Sequence, residues 1–266
     1  MKRSSGARLC ATATLGALSL ALLTGCSDEG ADSKDDAKSG GSGGSPSSPV
    51  ATATARTAAE LEKLLLAQGE VKGYRVTSGD DTLPKSKSDV KTDKAECAPL
   101  AYAMSGLAPG ETEANASNTV TEDKASDAAS KNPKDLSEED IAGAFKVDMT
   151  FVGLSSYDGD RAVRALNSVS DGVKACSGGF GITSQGEKQK ITKVAEGKAS
   201  GAGDESVAFS VSSDMDGQGT ATFNTEVVRV GNTVATYYTV NFGNLETGKA
   251  AEIPSAVIEG QAAKLK

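Results

Sequence analysis

Two stretches near the C-terminus, Thr220–Val230 and Thr233–Phe242, constrain the fold more than any other part of the sequence. Both are rich in β-branched and aromatic residues, and only Gly231-Asn232 separates them. A two-residue connection opening on glycine suits a type II′ turn, because glycine takes the positive φ that this turn demands. The returning run places Val234, Thr236, Tyr238, Val240 and Phe242 on one face. This part of the chain is thereby committed to an antiparallel sheet.

The flanking segments extend that pattern. Val207, Phe209 and Val211 alternate as a strand, and Lys190–Val194 is a weaker candidate. Phe145, Val147, Met149 and Phe151 alternate with Lys146, Asp148 and Thr150, which predicts a strand with one buried and one wet face. Ala162, Leu166, Val169, Val173 and Cys176 recur at helical spacing and form one apolar stripe, ended by Ser177-Gly178-Gly179. Thr57-Ala58-Ala59-Glu60 reads as a capping box opening a helix that carries Leu61, Leu64 and Leu65. A short strand is expected over Val71–Thr77 and a helical turn over Ala95–Met104. A closing helix begins near Pro254, with Val257, Ile258 and Leu265 inward. Ser105–Leu136 is so poor in apolar residues that it is expected to be a mobile loop. The order of elements predicts an α+β fold, a largely antiparallel sheet flanked by helices.

The N-terminus reads differently. Lys2, Arg3 and Arg8 precede an apolar run from Leu9 to Leu23, too short and too rich in small residues for a good membrane span. The run ends in Leu23-Thr24-Gly25-Cys26, followed abruptly by Ser27-Asp28-Glu29, which resembles a bacterial lipoprotein signal. The resemblance implies a diacylglyceryl thioether on Cys26, cleavage after Gly25, and a mature chain held on the outer face of the cell membrane. A thiol suits that step because its thiolate is the nucleophile. Two acyl chains give firm anchoring where one is marginal. The alternative is an ordinary secretory signal. Residues 26–56 then form a Gly/Ser/Pro-rich spacer with too little apolar surface to fold, with a reach on the order of 30 Å. Residues 57–266 suit one folded domain.

Composition excludes several function classes. The chain has 28 basic and 36 acidic residues; loss of Lys2, Arg3 and Arg8 with the signal leaves 25 basic, a formal charge of −11. Nucleic acid is a poor partner for such a chain. Histidine is absent, which removes Ser-His-Asp and Cys-His catalysis and His-ligated metal sites. Tryptophan is absent too, and 11 Phe and Tyr residues leave little for a stacking surface. No cofactor motif is present.

Apart from Cys26, the mature chain holds two cysteines, Cys97 and Cys176. An exported chain meets oxidising conditions, so an even pair reads as a disulfide. The alternative is two free buried thiols. Three acidic motifs invite chemistry and have plainer readings. Asp214-Met215-Asp216-Gly217-Gln218-Gly219 resembles the start of a calcium loop, but Thr225 stands where a bidentate Glu belongs, so a hairpin loop is expected. Gly203-Asp204-Glu205-Ser206 reads as a turn into a strand, and Tyr157-Asp158-Gly159-Asp160 as a helix entry.

Five segments together resemble the actinobacterial family of extracellular sensor domains typified by the ectodomain of the mycobacterial receptor kinase PknH. They are Cys97-Ala98-Pro99-Leu100, Leu154-Ser155-Ser156-Tyr157 before a helix ending Ala175-Cys176, Gly203-Asp204-Glu205, Val228-Arg229-Val230-Gly231-Asn232, and Gln261-Ala262-Ala263-Lys264-Leu265. The resemblance implies a sheet flanked by helices, a cleft for an extracellular ligand and no enzymatic activity. It departs from the kinase in carrying neither a kinase domain nor a membrane-spanning helix, and one internal cysteine pair where the family ectodomain has two disulfides. The expected function is a non-enzymatic, membrane-anchored module binding a small-molecule or cell-wall ligand. The competing readings are a lipid or glycolipid carrier, which needs a large apolar cavity, and a carboxylate-based hydrolase, for which no specific acidic pair stands out.

Overall fold

The computed structural model describes residues 54–78, 83–112, 114–123, 137, 143, 146–215 and 219–266. The chain divides between Ser48 and Pro49, and the described residues all belong to the second unit. Cys26 and the signal lie outside them, as do Phe145 and Asp216.

The fold is α+β. Among the described residues, nine strands form one sheet: β1 (Tyr74–Ser78), β2 (Val90–Thr92), β3 (Asn115–Glu122), β4 (Met149–Ser156), β5 (Phe180–Ser184), β6 (Glu187–Glu196), β7 (Glu205–Asp214), β8 (Thr220–Val230) and β9 (Thr233–Val240). Their spatial order is β1-β3-β4-β9-β8-β7-β6-β5-β2. Every neighbouring pair is antiparallel. β5 to β9 run as a continuous meander, and β9 then closes against β4, with Leu154 opposite Ala235. The helices are α1 (Ala58–Leu64), α2 (Ala98–Met104), α3 (Arg161–Ala175) and α4 (Ser255–Leu265).

Alternation along the strands explains why helices cover both faces. On β9, Val234 and Val240 join one core cluster, with Tyr238 packed against it, while Ala235 and Tyr237 join the other. On β8, Phe223 and Val227 serve the first cluster and Val228 and Val230 the second. The apolar stripe of α3 (Ala162, Leu166, Val169, Val173) and Leu100 and Met104 of α2 complete the first core. Leu61 of α1 and Val257, Ile258 and Leu265 of α4 complete the second. Each fully buried aliphatic side chain stabilises by roughly 1.5–3 kcal/mol through the area it removes from water.

The hairpin has the expected turn. Val230 faces Thr233 across it, and Gly231 sits at φ 60°. The capping box of α1 is complete: the Glu60 carboxylate accepts from the Thr57 N–H at 2.7 Å, and the Thr57 hydroxyl accepts from the Glu60 N–H at 3.3 Å. Cys97 and Cys176 are joined, with Cα atoms 5.9 Å apart and both side chains fully buried. The bridge ties the start of α2 to the end of α3.

Four expectations need correction. The stretch Ser105–Leu136 is not a loop throughout, since Asn115–Glu122 is β3, paired on both sides. Its polar residues enter the sheet because they are hydrogen-bonded or β-branched: Asn118 is 1% exposed and donates its amide N–H to the Leu66 carbonyl at 2.7 Å. The β4 strand begins at Met149 and runs through Ser156, and neither face is wet, Thr150 being buried against Thr239. β9 ends at Val240. Phe242 opens a 3-10 turn, Phe242–Thr247, and is 48% exposed. β1 starts at Tyr74 rather than Val71, and Val71 is buried in the turn before it.

Close approach at one glycine sets the shape near β3. A Cβ on Gly153 would lie 2.2 Å from the Gly106 carbonyl oxygen, so only glycine lets the chain leaving α2 lie against β4. At the β1 edge, Gln68 Oε1 accepts from the Val76 N–H at 2.8 Å, which blocks an edge otherwise open to another strand.

Candidate functional site

The ends of β1 and β3, the first helix and the segment leaving Leu83 enclose a groove of about 550 Å³. Its apolar lining comes from Leu65, which caps the C-terminus of α1, and from Leu83, Pro84, Leu107 and Ala116. Its polar lining comes from Glu62 of α1, Ser78 of β1, Lys85, and Asn115 and Ser117 of β3. A second hollow of about 290 Å³ continues from it, sharing Lys85, Leu107 and Asn115 and adding Ser86–Ser88, Glu111 and Thr112.

Local structure explains each wall. Leu65 lies at the C-terminus of α1, directed inward by the stripe that buries Leu61. Asn115 and Ser117 reach the groove because β1 pairs with β3 only from Asn118 onward among the described residues. The Ser86 N–H and hydroxyl both donate to the Asp89 carboxylate, closing a 3-10 turn over Lys87–Asp89 that carries the outer wall. Lys87 is held on three sides. Its Nζ donates to the Gly110 carbonyl at 2.6 Å, lies 3.6 Å from the Glu111 carboxylate and sits 5.0 Å from the centre of the Tyr102 ring.

Tyr157 braces the segment that carries Glu111 and Thr112 of the second hollow. Its hydroxyl accepts from the Gly110 N–H at 3.2 Å and from the Ser155 hydroxyl at 3.1 Å. Burial pushes its pKa above the ordinary tyrosine range, against the pull of these two bonds. Burial does the same to Tyr237, with the charge of Glu226 adding to it, and to Tyr238. These phenols stay protonated at any physiological pH. The groove offers one carboxylate, one ammonium, an amide and hydroxyls beside apolar side chains. Convergent polar groups of this kind in a partly apolar hollow are the chemistry by which binding sites orient hydrophilic ligands.

The acidic motifs take structural places. Asp204 and Glu205 both bind Arg229, each at 3.0 Å, and Asp204 also accepts from the Gly231 N–H at 2.7 Å, so the motif braces the hairpin. Asp158 accepts from the Ala55 N–H at 2.8 Å, and Asp160 pairs with Arg164 along α3. The Asp214 loop closes as a hairpin, with the Met215 N–H on the Gly219 carbonyl at 3.0 Å. Asp216–Gln218 lie outside the described residues. Among the described residues no three metal-ligating side chains cluster, and no helix is long and apolar enough to cross a membrane, which says nothing of a β-barrel. Neither Cys97 nor Cys176 lines the groove; both lie in the first core. Sequence reasoning missed the groove because its walls are one to three residues apiece from five separated segments.

No protein-family model matches the sequence, and no curated protein matches it. Among solved structures the chain is similar to the extracellular domain of PknH from Mycobacterium tuberculosis, at 15% identity and a TM-score of 0.44, over 80% of this chain and 95% of that one. It is also similar to an Rv0999 ortholog from Mycobacterium smegmatis, at 12% identity and a TM-score of 0.31, over 78% and 93%. The likeness is a weak one of fold, and no function follows from it.

Proposed function

We propose that this chain is an extracytoplasmic lipoprotein, anchored through a diacylglyceryl thioether on Cys26, whose folded domain is a non-enzymatic, PknH-like ligand-binding module. Its ligand is a small hydrophilic molecule or cell-wall fragment held in the groove between α1 and Leu83–Ser88. The observation that carries the location is the bonded, fully buried Cys97–Cys176 pair. Thiols of a mesophilic cytosolic protein stay reduced, so a structural bridge of this kind belongs outside the cytosol. The lipoprotein-like Leu23-Thr24-Gly25-Cys26 and the spacer behind it supply the anchor and the stand-off. The mixed polar and apolar lining of the groove supports a bound glycan or peptide fragment.

The test has two arms. Intact mass of the chain purified from its own membranes should show a diacylated N-terminal Cys26 and no free thiol at Cys97 or Cys176. Cys26→Ala should move the protein to the aqueous phase of a detergent separation without changing its urea midpoint. An unacylated chain with free thiols overturns the location. For the ligand, a thermal-shift screen of peptidoglycan and envelope-glycan fragments should give a saturable shift that Asn115→Ala abolishes. No shift across the panel overturns the groove, and co-purifying lipid in native mass spectra would favour carriage instead.

A further inference from the structure

We propose that the corner formed by Ser156, Asp158, Asn232 and Thr233 is a docking slot for the end of the spacer, and that its occupancy sets the wall of the second hollow beside the groove. Thr54, Ala55 and Arg56 have the composition of the spacer, yet side chains of two separate segments hold them. The Arg56 guanidinium donates to Asn232 Oδ1 at 3.4 Å and to the Thr233 hydroxyl. The Arg56 N–H donates to Ser156 Oγ at 2.9 Å, and the Ala55 N–H to Asp158 Oδ1 at 2.8 Å. The Thr54 carbonyl accepts from Asn232 Nδ2 at 2.8 Å. Ser156 and Thr233 are both fully buried, so this is a built site and not a surface graze. Ordering three residues of the chain costs entropy, and these bonds offset it. Arginine suits the slot because its planar fork presents several donors to two fixed acceptors at once.

The slot is linked by hydrogen bonds to residues that line the second hollow. Ser156, which receives the Arg56 N–H, accepts from the Thr112 hydroxyl through its own carbonyl at 2.6 Å, and its N–H donates to the Ala114 carbonyl at 3.1 Å. The Ala114 N–H in turn donates to Thr112 Oγ1 at 3.1 Å. Asn232 donates to the Tyr157 carbonyl at 3.1 Å, and the Tyr157 hydroxyl holds Gly110, whose carbonyl receives Lys87. Thr112 and Lys87 line the second hollow. A continuous set of hydrogen bonds therefore runs from the tether root to the second hollow, which adjoins the groove, and the docked and undocked tether are its two states. Ligand binding in the groove and docking of the tether are then linked, each favouring the other. The consequence for ligand binding rests on the groove reading; the slot and its coupling do not.

Amide hydrogen exchange on the full oxidised chain, without ligand, tests this directly, because Ala55, Arg56, Gly110 and Ala114 are themselves the donors. In the unaltered chain the amides of Ala55 and Arg56 should be protected. Arg56→Ala should speed exchange at Ala55, Gly110 and Ala114 by about tenfold, the scale of one lost hydrogen bond. Exchange along β4 from Phe151 to Leu154 should stay unchanged. Arg56→Lys, which keeps a cationic donor, should restore part of the protection and serves if the alanine variant fails to fold. Free exchange at Ala55 and Arg56 in the unaltered chain overturns the slot. Loss of protection at Ala55 with Gly110 and Ala114 unchanged overturns the coupling. Neither outcome depends on finding a ligand.

Discussion

Two buried tyrosines with opposite hydrogen-bond accounts make the clearest contrast among single side chains. The Tyr157 hydroxyl accepts from Gly110 and Ser155, whereas the Tyr237 hydroxyl is buried without a hydrogen-bond partner among the described residues, Tyr237 itself lying opposite Glu226 in the β8–β9 register. Removing an acceptor strands its donors, while removing an unpartnered hydroxyl strands nothing. Tyr157→Phe should therefore lower stability by about 1–3 kcal/mol, and Tyr237→Phe should leave it unchanged or raise it by up to about 1 kcal/mol. Urea unfolding of both variants decides, and a larger loss for Tyr237→Phe contradicts the argument. Acid sensitivity belongs to the same scale. The bond and charge of Lys264 and the Ala67 N–H hold the Glu70 carboxyl below its ordinary range, and the Thr57 backbone and hydroxyl do so for Glu60. A depressed carboxyl pKa contributes stability above the unfolded-state value of about 4.3. That contribution disappears as pH falls through the folded-state value. Lys264→Met should return the Glu70 titration, followed by NMR, toward the ordinary range and flatten the acid dependence by lowering stability at neutral pH, by a modest amount because the pair is half-exposed, with no loss below the folded-state pKa.

At the scale of elements, the α2–α3 bridge is the interaction whose removal should cost most. Cys97 and Cys176 are 79 residues apart, and opening a loop of that size costs about 4 kcal/mol in the chain-entropy model. The Cys97→Ala, Cys176→Ala double variant should lose stability on that scale by urea denaturation, and reductant should leave it unaffected while destabilising the unaltered chain. A loss below 1 kcal/mol would mean that native strain cancels the entropic gain. The elements also show what the sequence made legible. The hairpin of β8 and β9, the stripe of α3 and the cap of α1 were readable because each carries its own period or its own turn chemistry. β3 was not. Asn115, Ser117, Asn118 and Thr119 read as loop until a partner strand on each side takes up their backbone groups and Leu66 takes up the Asn118 amide. The groove inherits that opacity, since Asn115 and Ser117 belong to the same unreadable strand. Phe242 failed in the other direction: its alternation with Val240 continues past the last ladder pair, where Asn241 caps a 3-10 turn through the Gly243 N–H instead.

Across the whole molecule, the order of assembly follows from how far apart paired strands lie in the chain. β8 and β9 meet through two residues, but β9 must find β4 across the interval from Leu154 to Ala235, which encloses α3 and the rest of the meander. Closing such an interval before its contacts form makes folding slow, on the order of milliseconds to seconds. The Cys97–Cys176 crosslink does not shorten that interval, because it leads from β4's side of the chain back to α2 rather than forward to β9. If β8, β9 and β4 form the nucleus, docking of α2 on α3 comes later. A crosslink between elements that are still apart in the transition state restrains that state as much as the unfolded chain. Its stabilisation then falls on the unfolding rate. The cysteine-free double variant should fold at nearly the same rate as the oxidised chain and unfold up to about a thousandfold faster, the equivalent of about 4 kcal/mol at 1.4 kcal/mol per decade. Stopped-flow chevrons in urea measure both arms. A folding arm slowed by the full amount, with the unfolding arm unmoved, would place the α2–α3 contact inside the nucleus and reverse the order of assembly.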